Sequence, residues 1–318
     1  MLKKKDWQLL YELEKNARQP LQSISKKLKI SKQLICYMMK KFEQDKIILA
    51  YTAIIDSSKL GYYTYRVYLR FRSVNTFEEK EKFYQFLSNL PETTIVNSID
   101  GYWNVGFAIS VKNIYDFYEV WNKIMSKRKN IADYKIAIYS PIFHFTRTLL
   151  APEPKKETPK ILTLGGKEFV DHSSIDLEIL KLLSKNVRQP IIELAKKLHK
   201  NPKFISNRIK YLEKTQIIQG YRPLLDWGKL GYSYYKIDFT LTNYSSKNDL
   251  FELCRMHPNV IQVNQTIGGS DFEFEIFCKD TNELFSIISE IQNKFSHSIE
   301  NYTYFSIPKP YKETFMSI

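Results

Sequence analysis

The feature that most constrains this chain of 318 residues is an internal repeat. Shifting the sequence by 170 positions superimposes Arg18-Gln19-Pro20 on Arg188-Gln189-Pro190. Further along, the register becomes 167 and aligns Gly101 with Gly268. A register held over such a distance predicts that the chain folds as two copies of one module of about 150 residues.

The first part of each module predicts three helices. In the first copy, apolar residues recur at helical spacing in three runs, at residues 7–13, 24–28 and 35–42. Ser31 is a preferred N-cap residue for the third helix, and Asn201 before a proline has this role in the second copy. Three short helices with a tight turn before the third predict a helix-turn-helix domain, whose third helix enters the major groove of DNA.

The second part of each module predicts a βαββαβ unit, which is a ferredoxin-like sheet with helices on one face. In the first copy the predicted strands are Tyr62–Ser73, Thr93–Ile99, Val105–Ser110 and Ile131–Tyr139, and the predicted helices are Phe77–Leu90 and Val111–Met125. The chain therefore divides into helix-turn-helix domains at 1–61 and 171–231, βαββαβ domains at 62–150 and 232–318, and a linker at 151–170. Prolines, charges and two glycines make this linker unable to bury a core.

The positive charge of the chain, +14 in total, is concentrated in the two helix-turn-helix segments. Residues 1–61 hold 13 Lys and Arg against 6 Asp and Glu, and residues 171–231 hold 12 against 6. The two sheet segments differ in sign, with an excess of four positive charges at 62–150 and of four negative charges at 232–318. Two short basic segments are typical of two binding surfaces for a polyanion, here double-stranded DNA.

The third helix of each copy supplies the candidate DNA contacts. Helical spacing turns Ile35, Met39 and Phe42 inward in the first copy and Ile205, Ile209 and Leu212 inward in the second. Side chains of the types that bind base edges and phosphates are left facing outward. The predicted DNA-binding residues are Lys32, Gln33, Tyr37, Lys40, Lys41, Lys203, Ser206, Asn207, Arg208 and Lys210.

Across nearly its whole length, and twice over, the sequence resembles the Lrp/AsnC family of feast/famine transcription regulators. The residues that carry this resemblance include Asn16-Ala17-Arg18, Phe42-Glu43, Tyr51-Thr52-Ala53 and Lys59-Leu60-Gly61, with Leu194-Ala195-Lys196-Lys197-Leu198 and Gly220-Tyr221 in the second copy. The resemblance implies a winged helix-turn-helix followed by a βαββαβ domain that dimerises through its sheet. The expected fold is therefore α+β, with the two modules paired as a pseudo-dimer within one chain, and homo-oligomers of whole chains are also implied.

The resemblance also implies that a small molecule, typically an amino acid, is sensed near the loop between the second and third strands of the sheet. Family members resemble G-x-x-D at this loop. The second copy retains the pattern as Gly268 and Asp271, whereas the first copy has Gly101 and Asn104. These four are the predicted effector-binding residues. A tight strand connection is an equally good explanation of the glycines.

The residues favour no catalytic, metal or cofactor site. The five histidines show no ligand spacing, and no phosphate-binding glycine loop is present. Three cysteines that lie far apart in the sequence are typical of reduced thiols in a cytoplasmic protein. No apolar run is long enough to cross a membrane. The alternative enzyme class is a siroheme decarboxylase, which resembles the same module, but residues 96–109 and 263–276 hold neither His nor Arg. A scaffold that has lost DNA binding is a third class, which the basic helices disfavour.

Overall fold

The computed structural model describes residues 2–72, 76–152 and 158–316. Within these residues the contacts divide the chain into two compact units. One unit contains both helix-turn-helix domains and the other contains both βαββαβ domains, so each unit combines the matching parts of the two repeats. None of the described helices is long and apolar enough to cross a membrane.

Each helix-turn-helix domain consists of three helices and one strand. In the first repeat these are α1 (Lys4–Lys15), α2 (Leu21–Leu28), α3 (Lys32–Gln44) and β1 (Ile48–Ile55). In the second repeat they are α6 (Ser174–Lys185), α7 (Ile191–Lys197), α8 (Pro202–Lys214) and β7 (Ile218–Leu225). The three-helix order predicted for both copies is confirmed.

Each βαββαβ domain has the element order predicted from the sequence. The first contains β2 (Tyr63–Phe71), α4 (Phe77–Asn89), β3 (Thr93–Asp100), β4 (Val105–Val111), α5 (Ile114–Met125) and β5 (Ile131–Phe145). The second contains β8 (Ser233–Leu241), α9 (Lys247–Met256), β9 (Val260–Ile267), β10 (Phe272–Cys278), α10 (Thr281–Lys294) and β11 (Ile299–Glu313). Helix α5 begins three residues later than predicted because the Asn113 side chain caps it, accepting from the N–H groups of Tyr115 and Asp116. The predicted strand end at Ser73 lies outside the described residues.

The linker predicted at residues 151–170 is not free of regular structure. Strand β6 (Ile161–Leu164) forms within it and lies beside β5 in the sheet order. Leu162 is buried, and Gly220 of β7 faces it, since a Cβ added to this glycine would lie 3.5 Å from a Leu162 methyl group. The apolar run that starts at Ile161 therefore packs, whereas residues 153–157 of the predicted linker lie outside the described residues.

Eight of the described strands close into a ring. Hydrogen-bonded neighbours follow the order β2-β4-β3-β11-β8-β10-β9-β5, and β5 pairs with β2 again. The strands of the two repeats meet in two antiparallel pairs, β3 with β11 and β5 with β9, so one chain joins both sheets without a partner. The helices cover the outer face, where Val67, Leu69 and Phe107 pack against Phe83 and Phe117.

The inner face of the ring carries a buried cluster of charged residues. Arg66 of β2 and Lys236 of β8 both bind the carboxylate of Glu273 on β10, with nitrogen–oxygen distances of 2.8 and 3.1 Å. All three side chains are almost fully buried. Burial alone raises the pKa of Glu273, but the charges of Lys236 and Arg66 outweigh this effect and hold the pKa below its usual range. The side chains of the two repeats therefore meet through paired charges.

Candidate DNA-binding interface

The third helix of each helix-turn-helix domain is fixed by a cap at its start and an apolar stripe along its length. Ser31 caps α3 by accepting from the Leu34 N–H at 3.1 Å, and Asn201 caps α8 by accepting from the Lys203 N–H at 2.8 Å. The predicted inward residues are all buried, namely Ile35, Met39, Phe42, Ile205, Ile209 and Leu212. The cap and stripe predictions are confirmed, and they decide which side chains each helix presents to solvent.

The outward faces of α3 and α8 carry most of the predicted DNA-binding side chains. The exposed ones are Lys32, Gln33, Tyr37, Lys40, Lys41, Lys203, Asn207 and Lys210. Ser206 is half-buried. Lysine ammonium groups bind phosphates without regard to sequence, whereas Gln and Asn amides can donate to and accept from the edge of an adenine. Each face thus combines groups for affinity with groups for base recognition.

The outward orientation expected for Arg208 is wrong. Its guanidinium binds the carboxylate of Asp176 in α6 through two hydrogen bonds, with Nε at 2.8 Å and Nη2 at 2.6 Å. Burial raises the pKa of Asp176, but hydrogen bonds from Arg208 and Ser173 outweigh it and lower the pKa overall. Arg208 therefore joins α8 to α6. The equivalent position in the first repeat is the buried Met38.

Two exposed apolar side chains on these helices were missed by the sequence reasoning. Leu34 and Phe204 occupy equivalent positions of the repeat, in the first turn of α3 and of α8, and are 44% and 42% exposed. The inward stripe explains neither of them. In a major groove, such groups can contact the methyl group of thymine. Their occurrence at one register position in both copies was the available signal.

The two helix-turn-helix domains pair with each other inside one unit. Strands β1 and β7 run antiparallel, and their register is symmetric about the pair formed by Thr52 and Arg222. The Ala17 N–H donates to the Tyr221 carbonyl at 2.9 Å, and the equivalent Val187 N–H donates to the Tyr51 carbonyl at 2.9 Å. Each hydrogen bond from one repeat has an equivalent hydrogen bond from the other, as expected for a pseudo-twofold pair.

Arg18 and Arg188, which the repeat aligns, make the same contacts in opposite directions. Arg18 donates to the Val187 carbonyl and its guanidinium lies over the Tyr221 ring. Arg188 donates to the Ala17 carbonyl at 2.7 Å and lies over the Tyr51 ring. The repeated Asn-x-Arg sequence, which marks each copy of the module, also forms part of the interface between the two domains.

The predicted effector-binding residues all take part in contacts that shape the sheet. The Asn104 side chain accepts from the Phe71 N–H at 2.7 Å, and Asp271 accepts from the Leu241 N–H at 2.9 Å at the equivalent place in the second repeat. Gly268 has a φ of +82°, and a Cβ added there would lie 3.0 Å from the carbonyl oxygen of Ile136. At Gly101, whose φ is +153°, an added Cβ would lie 2.9 Å from the Cβ of Phe305. Each loop therefore packs against the last strand of the other repeat, which gives the pattern a structural reason.

Comparisons with known proteins agree with this geometry. The sequence family described as "Winged helix-turn-helix DNA-binding" matches residues 2–48 and 173–219. The HTH-type transcriptional regulator LrpA of Pyrococcus horikoshii is 32% identical over 114 residues, which cover 81% of its length and 36% of this chain. The chain belongs to the Lrp/AsnC family of DNA-binding transcription regulators.

A second relative supports the same family assignment. The HTH-type transcriptional regulator LrpB of Bacillus subtilis is 26% identical over 118 residues, which are 79% of that protein and 37% of this chain. Each relative thus spans about one module. Over both modules, the chain is similar to the crystal structure of the siroheme decarboxylase NirDL, with a TM-score of 0.65, 13% identity and coverage of 98% of this chain and 94% of the other. At that identity the similarity shows the two-module fold alone.

Proposed function

We propose that one chain of this Lrp/AsnC regulator binds one double-stranded DNA site made of two unlike halves. The supporting observation is that the two helix-turn-helix domains pair reciprocally within one unit, while their outward faces differ. Tyr37 and Gln33 of the first repeat are replaced by Asn207 and Lys203 at the equivalent positions of the second. A dimer of identical modules reads two equal half-sites, whereas this chain presents two different readers.

Neutralising one matched lysine in each repeat tests whether both domains bind DNA. Lys40 and Lys210 are equivalent and exposed, so Lys40→Met and Lys210→Met remove one phosphate contact from each domain. The affinity for a bound duplex is measured across a salt series. Each variant is expected to reduce the slope of log affinity against log salt by about 0.9, because one fewer counterion is released.

The matched control for this salt series is Lys279→Met, an exposed lysine of the second βαββαβ domain. It makes the same charge change outside the reading helices, and the slope is expected to remain that of the unmodified chain. If only Lys40→Met or only Lys210→Met changes the slope, a single domain binds DNA and the proposal of two readers fails.

We also propose that the chain regulates transcription without decarboxylating siroheme. The stretches 96–109 and 263–276 hold neither His nor Arg. The buried cations on the facing strands, Arg66 and Lys236, are already paired with Glu273. A polycarboxylate tetrapyrrole such as siroheme needs cations to hold its carboxylates and a group to donate a proton. Release of carbon dioxide from siroheme by the purified chain would contradict this part of the proposal.

A further inference from the structure

A cleft of about 460 Å³ opens at one end of the first βαββαβ sheet. The end of β2, the first turns of α4 and the loop between β3 and β4 form its walls. The lining residues on which the argument rests are Arg70, Arg72, Lys80, Gly101, Tyr102 and Asn104. This volume falls within the range of about 300 to 1,000 Å³ that is usual for small-molecule sites.

Three cationic side chains line the cleft, and none of them forms a close ion pair in the described part of the chain. None of Arg70, Arg72 and Lys80 forms an ion pair within 4.0 Å in the described part of the chain. The Nε of Arg70 is buried and has no hydrogen-bond partner. A ligand with carboxylate or phosphate oxygens in the cleft would provide acceptors for these cationic side chains.

The groups around Arg70 hold its guanidinium at the cleft. The guanidinium lies 5.0 Å from the centre of the Tyr102 ring, and the Tyr102 hydroxyl donates to Asp133 at 2.9 Å. Hydrogen bonds from the Tyr102 hydroxyl and the Tyr134 N–H lower the pKa of Asp133, and the charges of Arg70 and Arg128 lower it further. Asp133 is therefore ionised and engaged by Tyr102, which fixes the ring against which Arg70 packs.

The second repeat lacks the two arginines of this cleft. The repeat aligns Arg70 with Thr240 and Arg72 with Thr242, and it aligns Asn104 with the carboxylate of Asp271. In the first repeat the Asn104 Oδ1 accepts from the Phe71 N–H, which leaves the amide nitrogen as a donor. The exchange of two threonines and one acid for two arginines and one amide changes the site from neutral or acidic to strongly cationic.

We propose that this cleft is a binding site for a small polyanion, a molecule with two or more carboxylate or phosphate groups, and that it exists in the first repeat alone. Arginine forks bind the paired oxygens of such groups. A zwitterionic amino acid is a poor ligand, because position 104 offers no carboxylate for its ammonium group. The regulatory consequence rests on the proposed function, whereas binding of the anion itself does not.

Calorimetric titration of the full chain tests this site, with citrate, pyrophosphate and L-methionine as the three probes. We expect saturable binding of one citrate or one pyrophosphate per chain, and the stronger of the two identifies carboxylate or phosphate as the preferred group. Arg70→Met and Arg72→Met are each expected to weaken that binding at least tenfold. Lys279→Met makes an equal charge change on the second repeat and is expected to leave the binding unchanged.

The opposite outcomes overturn the proposal. These are no saturable binding of either anion, tighter binding of L-methionine, or an equal loss in Lys279→Met. If Arg70→Met unfolds the chain, Lys80→Met carries the same test on a different wall of the cleft. The affinity for DNA, measured in the absence of citrate, pyrophosphate and L-methionine, distinguishes failure of this anion site from failure of the proposed function. Arg70→Met is expected to bind DNA normally, and a loss equal to that of Lys40→Met would assign the cleft to DNA phosphates and overturn the small-molecule site.

Discussion

The two repeats meet in two places, and these two interfaces have diverged to different extents. Between the helix-turn-helix domains the contacts are reciprocal, as in the matched bonds of Arg18 to Val187 and of Arg188 to Ala17. Between the sheets the central contact runs one way, from Arg66 of the first repeat to Glu273 of the second. A duplicated module thus kept its symmetry in one interface and lost it in the other.

The asymmetry of the sheet interface has a steric and an electrostatic cause. The repeat aligns Glu273 with Gly106 and Glu275 with Ala108, so the acids come from the second repeat only. A Cβ at Gly106 would lie 2.8 Å from the Tyr68 ring, which leaves no room for an acid there. Two first-repeat sheets facing each other would bury Arg66 without a carboxylate, and an uncompensated buried charge is strongly destabilising. The cluster therefore favours pairing of unlike sheets within one chain.

The largest expected effect comes from breaking the one-way contact. Glu273→Gln removes the carboxylate that binds Arg66 and leaves Lys236 paired with Asp238 alone, and we expect the free energy of unfolding to fall by about 3 to 5 kcal/mol. Urea unfolding measures this change. Glu300→Gln, on an exposed position of β11, is the matched control and is expected to shift stability by less than about 0.5 kcal/mol. A loss below about 1 kcal/mol in Glu273→Gln would show that the cluster does not stabilise the interface.

An intermediate loss of stability is expected from breaking the contact between Arg208 and Asp176, which lies within the second helix-turn-helix domain. Arg208→Met makes the second repeat like the first, which has Met38, and removes two hydrogen bonds to Asp176. We expect a loss of about 2 kcal/mol at pH 7. Lys203→Met, on the exposed face of the same helix, is the control and should leave stability nearly unchanged.

The pH dependence of this loss follows from the lowered pKa of Asp176. A group whose pKa is lower in the folded state contributes stability above its unfolded pKa, which for Asp is about 3.9, and that contribution is lost as the pH falls further. The difference between Arg208→Met and the unmodified chain should therefore shrink when the pH falls below about 4. A difference that stays constant down to the folded pKa would contradict an ionic pairing with Asp176.

The smallest loss of stability is expected at the symmetric interface, between the two helix-turn-helix domains. Arg18→Ala and Arg188→Ala each remove one hydrogen bond and one cation–π contact from half-buried positions, and each is expected to cost about 1 to 2 kcal/mol. The informative result is the difference between the two costs, which should be below about 0.5 kcal/mol. Thermal unfolding of both variants measures it. Strongly unequal losses would mean that this interface has also diverged.

Local features of the chain were predictable from the sequence, because short-range physics decides them. The caps at Ser31 and Asn201 and the inward stripe of α3 depend on residues within one or two turns. Arg208 was placed wrongly because its partner, Asp176, lies 32 residues away and is identified only when α6 packs against α8. Helical spacing alone cannot distinguish a side chain at the edge of the buried stripe from one that faces solvent.

The closed ring and its charges were less predictable for a related reason. Arg66 alternates with the apolar Tyr65 and Val67, a pattern that is typical of a strand with one solvated face. Its burial follows from the pairing of β3 with β11, a contact between residues that lie about two hundred positions apart. The opposite net charges of the two sheet segments were the signal, and the exact partner could not be read from them.

Selection of bound duplexes from a random DNA pool tests the central claim most directly, namely that one chain reads two unlike half-sites. For the unmodified chain we expect two different half-sites at a fixed spacing. The variant Gln33→Lys with Tyr37→Asn gives the first repeat the second repeat's residues at these positions, and its selected site should become more symmetric. A palindrome selected by the unmodified chain, and unchanged in the variant, would contradict the account.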